Sequence, residues 1–270
     1  MARLLLAAIL MLAAAGAARA EGCDGPRAFQ DAATRNAASL GALSWAPFGR
    51  SETGWAIYAP KVAAEIGTGC APEAPGFARA LARWRRRHKE GSSGVFDAGA
   101  FQAMKAEWQA ARPFAVDHAC PDPPELTALE AAGPEESDGG KIILLRTPVL
   151  AAYRRMVADA RAATPEAAAD PERLMLFSGF RDPAYDAARC AREANCNGLT
   201  RAACSPHRTG LAFDLVLGAA PSFDVDSTAD ANRLWQTRTA SYHWLVANAR
   251  RYGFVNYVFE PWHWEWVGKP

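Results

Sequence analysis

The sequence lacks an H-E-x-x-H run, a C-x-x-C pair, any strong charge imbalance and, past its first twenty residues, a long apolar run. Each absence excludes something. With 30 Lys and Arg against 29 Asp and Glu, the formal net charge is only +1, so the molecule as a whole is not built to neutralise nucleic-acid phosphates, although "RWRRRHK" is locally basic. Without H-E-x-x-H, a catalytic metal would need a scaffold other than that helix. Without C-x-x-C, the six cysteines do not read as a cysteine zinc site. The 270 residues are 50% hydrophobic and 22% charged, which is material for one or two sizeable cores and carries no mark of bulk disorder.

The opening "MARLLLAAILMLAAAGAARA" combines a basic residue, an apolar stretch and a small-x-small ending at Ala18 to Ala20. This predicts a signal peptide over 1–20 and an exported, periplasmic chain. The apolar stretch is too short for a membrane span, and none is expected in the mature part. In an oxidising compartment Cys23, Cys70, Cys120, Cys190, Cys196 and Cys204 read as disulfide partners, with the pairing open. One bridge among the last three is expected to pin the loop that presents His207, and general stapling of a long loop would suit the same residues.

Composition divides the rest. Over 21–120, Phe77, Leu81, Trp84 and His88 recur at helical steps, and Phe101, Met104 and Trp108 repeat the device after the turn "EGSSG". These are two short helices whose aromatic stripes suit either a packed core or a cell-wall contact. They resemble a diverged peptidoglycan-binding helical module, with Arg85 and Phe101 at positions where that module carries glutamine and threonine. The stretch 121–140, "PDPPELTALEAAGPEESDGG", reads as a linker. Over 141–270 follow a strand "KIILLR", a helix from Thr147 with Pro148 in its first turn, a strand "ERLMLFSG", and a helix opened by Pro183. A strand over 211–217, a helix in "YHWLVANARRYGF" and a β-prone aromatic segment complete the order. The helix from Thr147 should bury Leu150, Tyr153, Met156 and Val157.

The chemistry-bearing text is "SPHRTGLAFDLVLG" at 205–218 and "FEPWHWEW" at 259–266. Gly210 would let the backbone turn between His207 and the strand holding Asp214. Three nitrogen and oxygen ligands with a fourth position left to water make a catalytic zinc site, and His207, Asp214 and His263 supply that set. Glu260 can face the same water without binding the metal. Two alternatives stand beside this: Asp214 as a buried carboxylate bonded to turn amides, and His263 as a structural ring among tryptophans.

"SGFR" at 178–181, "SPHRTGLAFD" at 205–214 and "EPWH" at 260–263 resemble the zinc D-alanyl-D-alanine carboxypeptidases of the VanY-like peptidase family, block for block and in order, over roughly 140–268. The resemblance implies a small α+β fold, with helices on a mostly antiparallel sheet. It implies one zinc per chain on His207, Asp214 and His263, with Glu260 as catalytic base. Arg181 would contact substrate or developing charge, Ser205 would be a hydrogen bonder near substrate or ligands, and Trp262 would line the substrate site. The implied partner is a peptidoglycan stem peptide, with no nucleic acid, and the expected state is a monomer. Arg181 could instead pair with Asp182 or Asp186. A metal-dependent endopeptidase cutting within or between stems is the alternative activity; a non-catalytic zinc-containing cell-wall binder has no need of Glu260. The connection "FVNYVF" between Gly253 and Glu260 is shorter than in many family members.

Overall fold

The computed structural model describes residues 22–112, 114, 121–193 and 205–268. In chain order the first half holds α1 (Gln30–Leu40), the two-residue strands β1 (Ser44–Trp45) and β2 (Glu52–Thr53), α2 (Ala59–Ile66), α3 (Pro75–Arg87) and α4 (Ala98–Ala110). The second half holds β3 (Leu129–Ala131), β4 (Leu144–Arg146), α5 (Thr147–Ala163), the short α6 (Pro165–Ala169), β5 (Leu176–Ser178), α7 (Pro183–Glu193) and β6 (Ala212–Leu215). It closes with α8 (Asp230–Thr237), α9 (Ala240–Asn248), β7 (Phe254–Asn256) and β8 (His263–Trp266). This is a mixed α+β fold of small antiparallel sheets and helices, preceded by a helical stretch.

In the first half the aromatic stripes are core. Phe77, Leu81 and Trp84 from α3 meet Phe101, Met104 and Trp108 from α4 around Trp55 and Tyr58. Asp97 caps α4 by accepting from the Ala100 amide at 2.8 Å, satisfying one of the amides a helix start leaves unpaired. Buried Asn36 on α1 donates to the Gly94 carbonyl at 3.0 Å and accepts from Phe96 N at 2.7 Å, tying α1 to the turn between α3 and α4. A Cys23–Cys70 disulfide closes the beginning of the chain onto the residues before α3. The bridge expected among Cys190, Cys196 and Cys204 involves residues outside those described, and Cys120 and the first twenty residues lie outside them too.

The stretch 121–140 carries β3, which pairs antiparallel with β4. Its backbone groups therefore go to a partner strand. The main sheet runs β5-β6-β8-β7, all antiparallel. Residues directly across an antiparallel pair share a face, and Phe213 lies opposite Trp264, Asp214 opposite His263, and Ala212 opposite Glu265. Phe213, Leu215 and Trp264 therefore turn to α5, where they pack with Leu150, Tyr153 and Met156. Asp214, His263 and Glu265 occupy the other face. Both faces are covered, so every residue of β6 is buried, where a half-exposed strand would show alternation.

The connection "FVNYVF" is one place where the halves meet. Val258 enters the first-half core, Phe259 packs 5.1 Å from Phe48, and Tyr257 packs 6.0 Å from the same ring. Arg233 of α8, wholly buried, donates to the Phe259 carbonyl at 2.8 Å and to the Tyr58 hydroxyl at 2.7 Å, and pairs with Glu52 at 3.2 Å. Among the described residues no helix is long and apolar enough to cross a membrane.

Candidate metal centre

His207 sits on a short 3-10 turn, Pro206–Thr209, that Ser205 caps by accepting from the His207 amide at 3.3 Å. The turn ends at Gly210, with φ +67°, where a side chain would also strike Leu129 at 2.8 Å. The left-handed φ is what calls for glycine there, since the Leu129 side chain could give way. It lets the chain reverse from His207 into β6, which delivers Asp214 two residues into the strand. His263 begins β8 directly across from it.

The three residues are 2%, 4% and 3% exposed and their side chains converge: one ligand atom from each lies within 4.8 Å of the others. His263 Nδ1 is 2.9 Å from Asp214 Oδ1, His207 Nε2 is 3.2 Å from Asp214 Oδ2, and the two imidazole nitrogens are 3.2 Å apart. The opposite nitrogen of His207 is 2.7 Å from the Gly179 carbonyl. A carbonyl only accepts, so the ring proton is assigned to Nδ1 and Nε2 is left as a lone pair facing inward. Position 179 is held against β4, where a side chain would run into Ile143 and the Leu144 carbonyl at 2.6 and 2.7 Å, so glycine fits there.

These residues fit a metal ion. Tetrahedral coordination at ligand distances of about 2.0–2.2 Å puts donors about 3.3–3.6 Å apart; the contacts of 2.9 and 3.2 Å to Asp214 use its two different oxygens, and one ligand atom from each residue lies within 4.8 Å of the others, so side-chain adjustment brings the three donors to one ion. A buried lone pair pointing at a second imidazole and a carboxylate has no apolar explanation.

The charges around the site are shifted accordingly. Burial, and then the Arg181 guanidinium, push His207 down to about 4 against the pull of Asp214. Burial opposes ionisation of Asp214, yet His207 and His263 beside it hold its carboxyl well below the usual carboxylate range. Burial likewise opposes the charged form of His263, but its contacts with Asp214 and Glu265 raise it to about 9 without a metal. Glu260 is raised, chiefly by burial, with Asp214 adding and His263 and Arg181 opposing. Its carboxyl is thus close enough to feel all three while bonding none of them directly.

Arg181 follows β5 and reaches Asp214 Oδ2 at 3.5 Å and Asp186 at 3.7 Å. It therefore borders the metal-facing cluster and has an acidic neighbour on α7 as well. Trp262, 3% exposed, precedes His263 and accepts from the Leu215 amide through its carbonyl at 3.0 Å. Three residues that sequence reading did not single out also belong here. Glu265 lies 3.2 Å from His263 Nε2 and 2.5 Å from Arg112, and Asn256 donates to the His263 carbonyl at 2.9 Å. For Glu265 a signal existed: two residues from His263 on a strand, it must share that face.

Residues 143–269 match the model of the VanY family, described as D-alanyl-D-alanine carboxypeptidase. The C-terminal part of the chain is thus a family-level match to the VanY-like zinc peptidases, and it holds all three metal-facing residues, Glu260 and Arg181. No curated protein matches the chain. Among solved structures, the LdcB LD-carboxypeptidase, whose structure reveals the molecular basis of peptidoglycan recognition, is 24% identical with a TM-score of 0.34, over 47% of this chain and 60% of that one. The chain thus spans less than two thirds of that protein's length.

Proposed function

We propose that this chain is an exported zinc-dependent D-alanyl-D-alanine carboxypeptidase that removes the terminal D-alanine from peptidoglycan stem peptides. The observation that carries this reading is the convergence of His207 Nε2, Asp214 and His263 Nδ1 within 4.8 Å, inside the segment that matches the VanY family. Two imidazoles and one carboxylate are the open, three-ligand donor set of a catalytic zinc. Zinc held there would lower the pKa of a water to about 7 and polarise the scissile carbonyl.

The chain's own groups divide the remaining work. Glu260, made more basic by its buried surroundings, takes a proton as the amide is attacked and returns it to the departing D-alanine nitrogen. Arg181 offers a planar fork of donors at the edge of the cluster, suited to the substrate's terminal carboxylate or to the oxygen that gains charge. Export through the N-terminal twenty residues would bring the enzyme to its polymer.

Incubation of the mature protein with a D-Ala-D-Ala stem pentapeptide, its C-terminal amide and intact peptidoglycan, followed by mass spectrometry, tests the reading. Loss of one D-alanine from the free acid, much slower on the amide, is the expected result. Release of internal or cross-linked fragments with no free D-alanine would replace it with an endopeptidase.

A further inference from the structure

We propose that Arg112, supplied by the helical first half of the chain, is a positioning residue for the metal centre: it clamps the Glu265 carboxylate that orients His263 for coordination. This rests on the metal reading above and goes beyond it, because Arg112 lies outside the 143–269 segment that matches the VanY family.

The argument begins at His263, whose two ring nitrogens have different partners. Nδ1 faces Asp214 and His207, and Nε2 is 3.2 Å from Glu265 Oε1. A carboxylate can only accept, so Nε2 donates to it, and the neutral ring is left with its lone pair on Nδ1, the nitrogen that faces the other ligands. Glu265 thus selects the tautomer as well as the ring angle.

Glu265 is itself buried, and a buried carboxylate needs a counter-charge and a fixed position. Arg112 provides both. Its Nε and Nη2 donate to the same Oε1 at 2.9 and 2.5 Å. The guanidinium is held from two further sides: Nη1 donates to Gln109 Oε1 at 2.8 Å, and the plane lies over the Tyr257 ring with 4.2 Å to its centroid. Gln109 belongs to α4, so the position of Oε1, and through it of His263, is set by the helix whose Phe101, Met104 and Trp108 are buried in the first-half core. Glu265 Oε2 has no hydrogen-bond partner, which leaves Oε1 as the single point through which the carboxylate is fixed.

An ion pair that merely fastened the two halves together would support the fold without influencing the metal. The two roles separate by metal affinity. Zinc dissociation constants of the full mature chain would be measured by chelator competition for wild type, Arg112→Met and Arg112→Lys, with Arg85→Lys, at the distant Arg85–Asp97 pair, as control. The visible spectrum of each Co2+-substituted protein would be recorded beside it. Loss of an outer partner of a metal-bound histidine typically costs about 10–100-fold in affinity. That loss is expected for Arg112→Met, with an altered Co2+ spectrum; Arg112→Lys, which keeps the charge but not the fork, should recover part of it, and the control should match wild type. Folded Arg112 variants with wild-type zinc affinity and Co2+ spectrum overturn the proposal while leaving the metal reading intact. A wild-type protein that binds neither metal overturns both.

Discussion

Asp214 and His263 are direct cross-strand partners on β6 and β8, and their side chains meet at 2.9 Å on the face of the sheet turned away from α5. The register of one antiparallel pair thus brings two candidate metal ligands from 49 residues apart into contact, and the 3-10 turn before β6 adds the third. A one-residue slip of either strand would turn its own member of the pair into the α5 core and part the two side chains. The Phe213–Trp264 pair on the opposite face opposes such a slip by its burial.

The proton on His263 makes the metal-free protein pH-sensitive. A histidine raised to about 9 in the fold, against about 6.5 in the unfolded chain, contributes stability that is fully present below about pH 6.5 and is lost as pH rises through about 9. Denaturant midpoints of metal-free wild type and His263→Gln, followed from about pH 6 to 10, should converge as pH rises. Curves that stay parallel would mean that the His263–Asp214–Glu265 contacts do not hold this proton.

The Glu260 carboxyl feels the charges of the cluster, while only its backbone carbonyl bonds a member of it, accepting from the His263 amide at 3.0 Å, so base and ligand roles can be separated. Glu260→Gln should bind zinc as wild type does and lose about 100-fold or more in turnover, the usual size of a general acid–base contribution. A zinc-loaded variant with wild-type turnover would exclude Glu260 as the proton acceptor.

Arg233 links Glu52 and Tyr58 of the first half to the Phe259 carbonyl, one residue before Glu260. Arg233→Met leaves Glu52 buried without its main counter-charge and should cost about 3–5 kcal/mol, read as a lower denaturant midpoint. The double variant Glu52→Gln/Arg233→Met should regain part of that loss. Additive effects of the two substitutions would show that the pair is not coupled.

Patterns that repeat within one element were legible before the fold was known. The helix over 147–163 announces itself through Leu150, Tyr153, Met156 and Val157, all of which are buried. His207, Asp214 and His263 stand out by residue type, and the structure brings them together. What stayed hidden depends on distant partners. Helix α1, "QDAATRNAASL", buries only Ala33 and Asn36 and has no apolar stripe to read. The acid-rich text of 121–140 conceals β3, which is a strand because β4 offers it a ladder. Arg112 and Glu265 are separated by 153 residues, and a buried ion pair across that distance leaves no local spacing. The aromatic run from Tyr257 to Trp266 could not be divided into core and cleft by sequence; Trp264 belongs to the α5 side, while Tyr257 and Phe259 lean on Phe48.

The most direct test of the central claim is metal stoichiometry. Elemental analysis of the mature chain, reconstituted with zinc and freed of excess, should find one zinc per wild-type molecule, and far less in His207→Ala, whose Nε2 is one of the three converging ligand atoms. Wild-type protein that retains no zinc, or a His207→Ala variant that retains as much as wild type, would contradict the account.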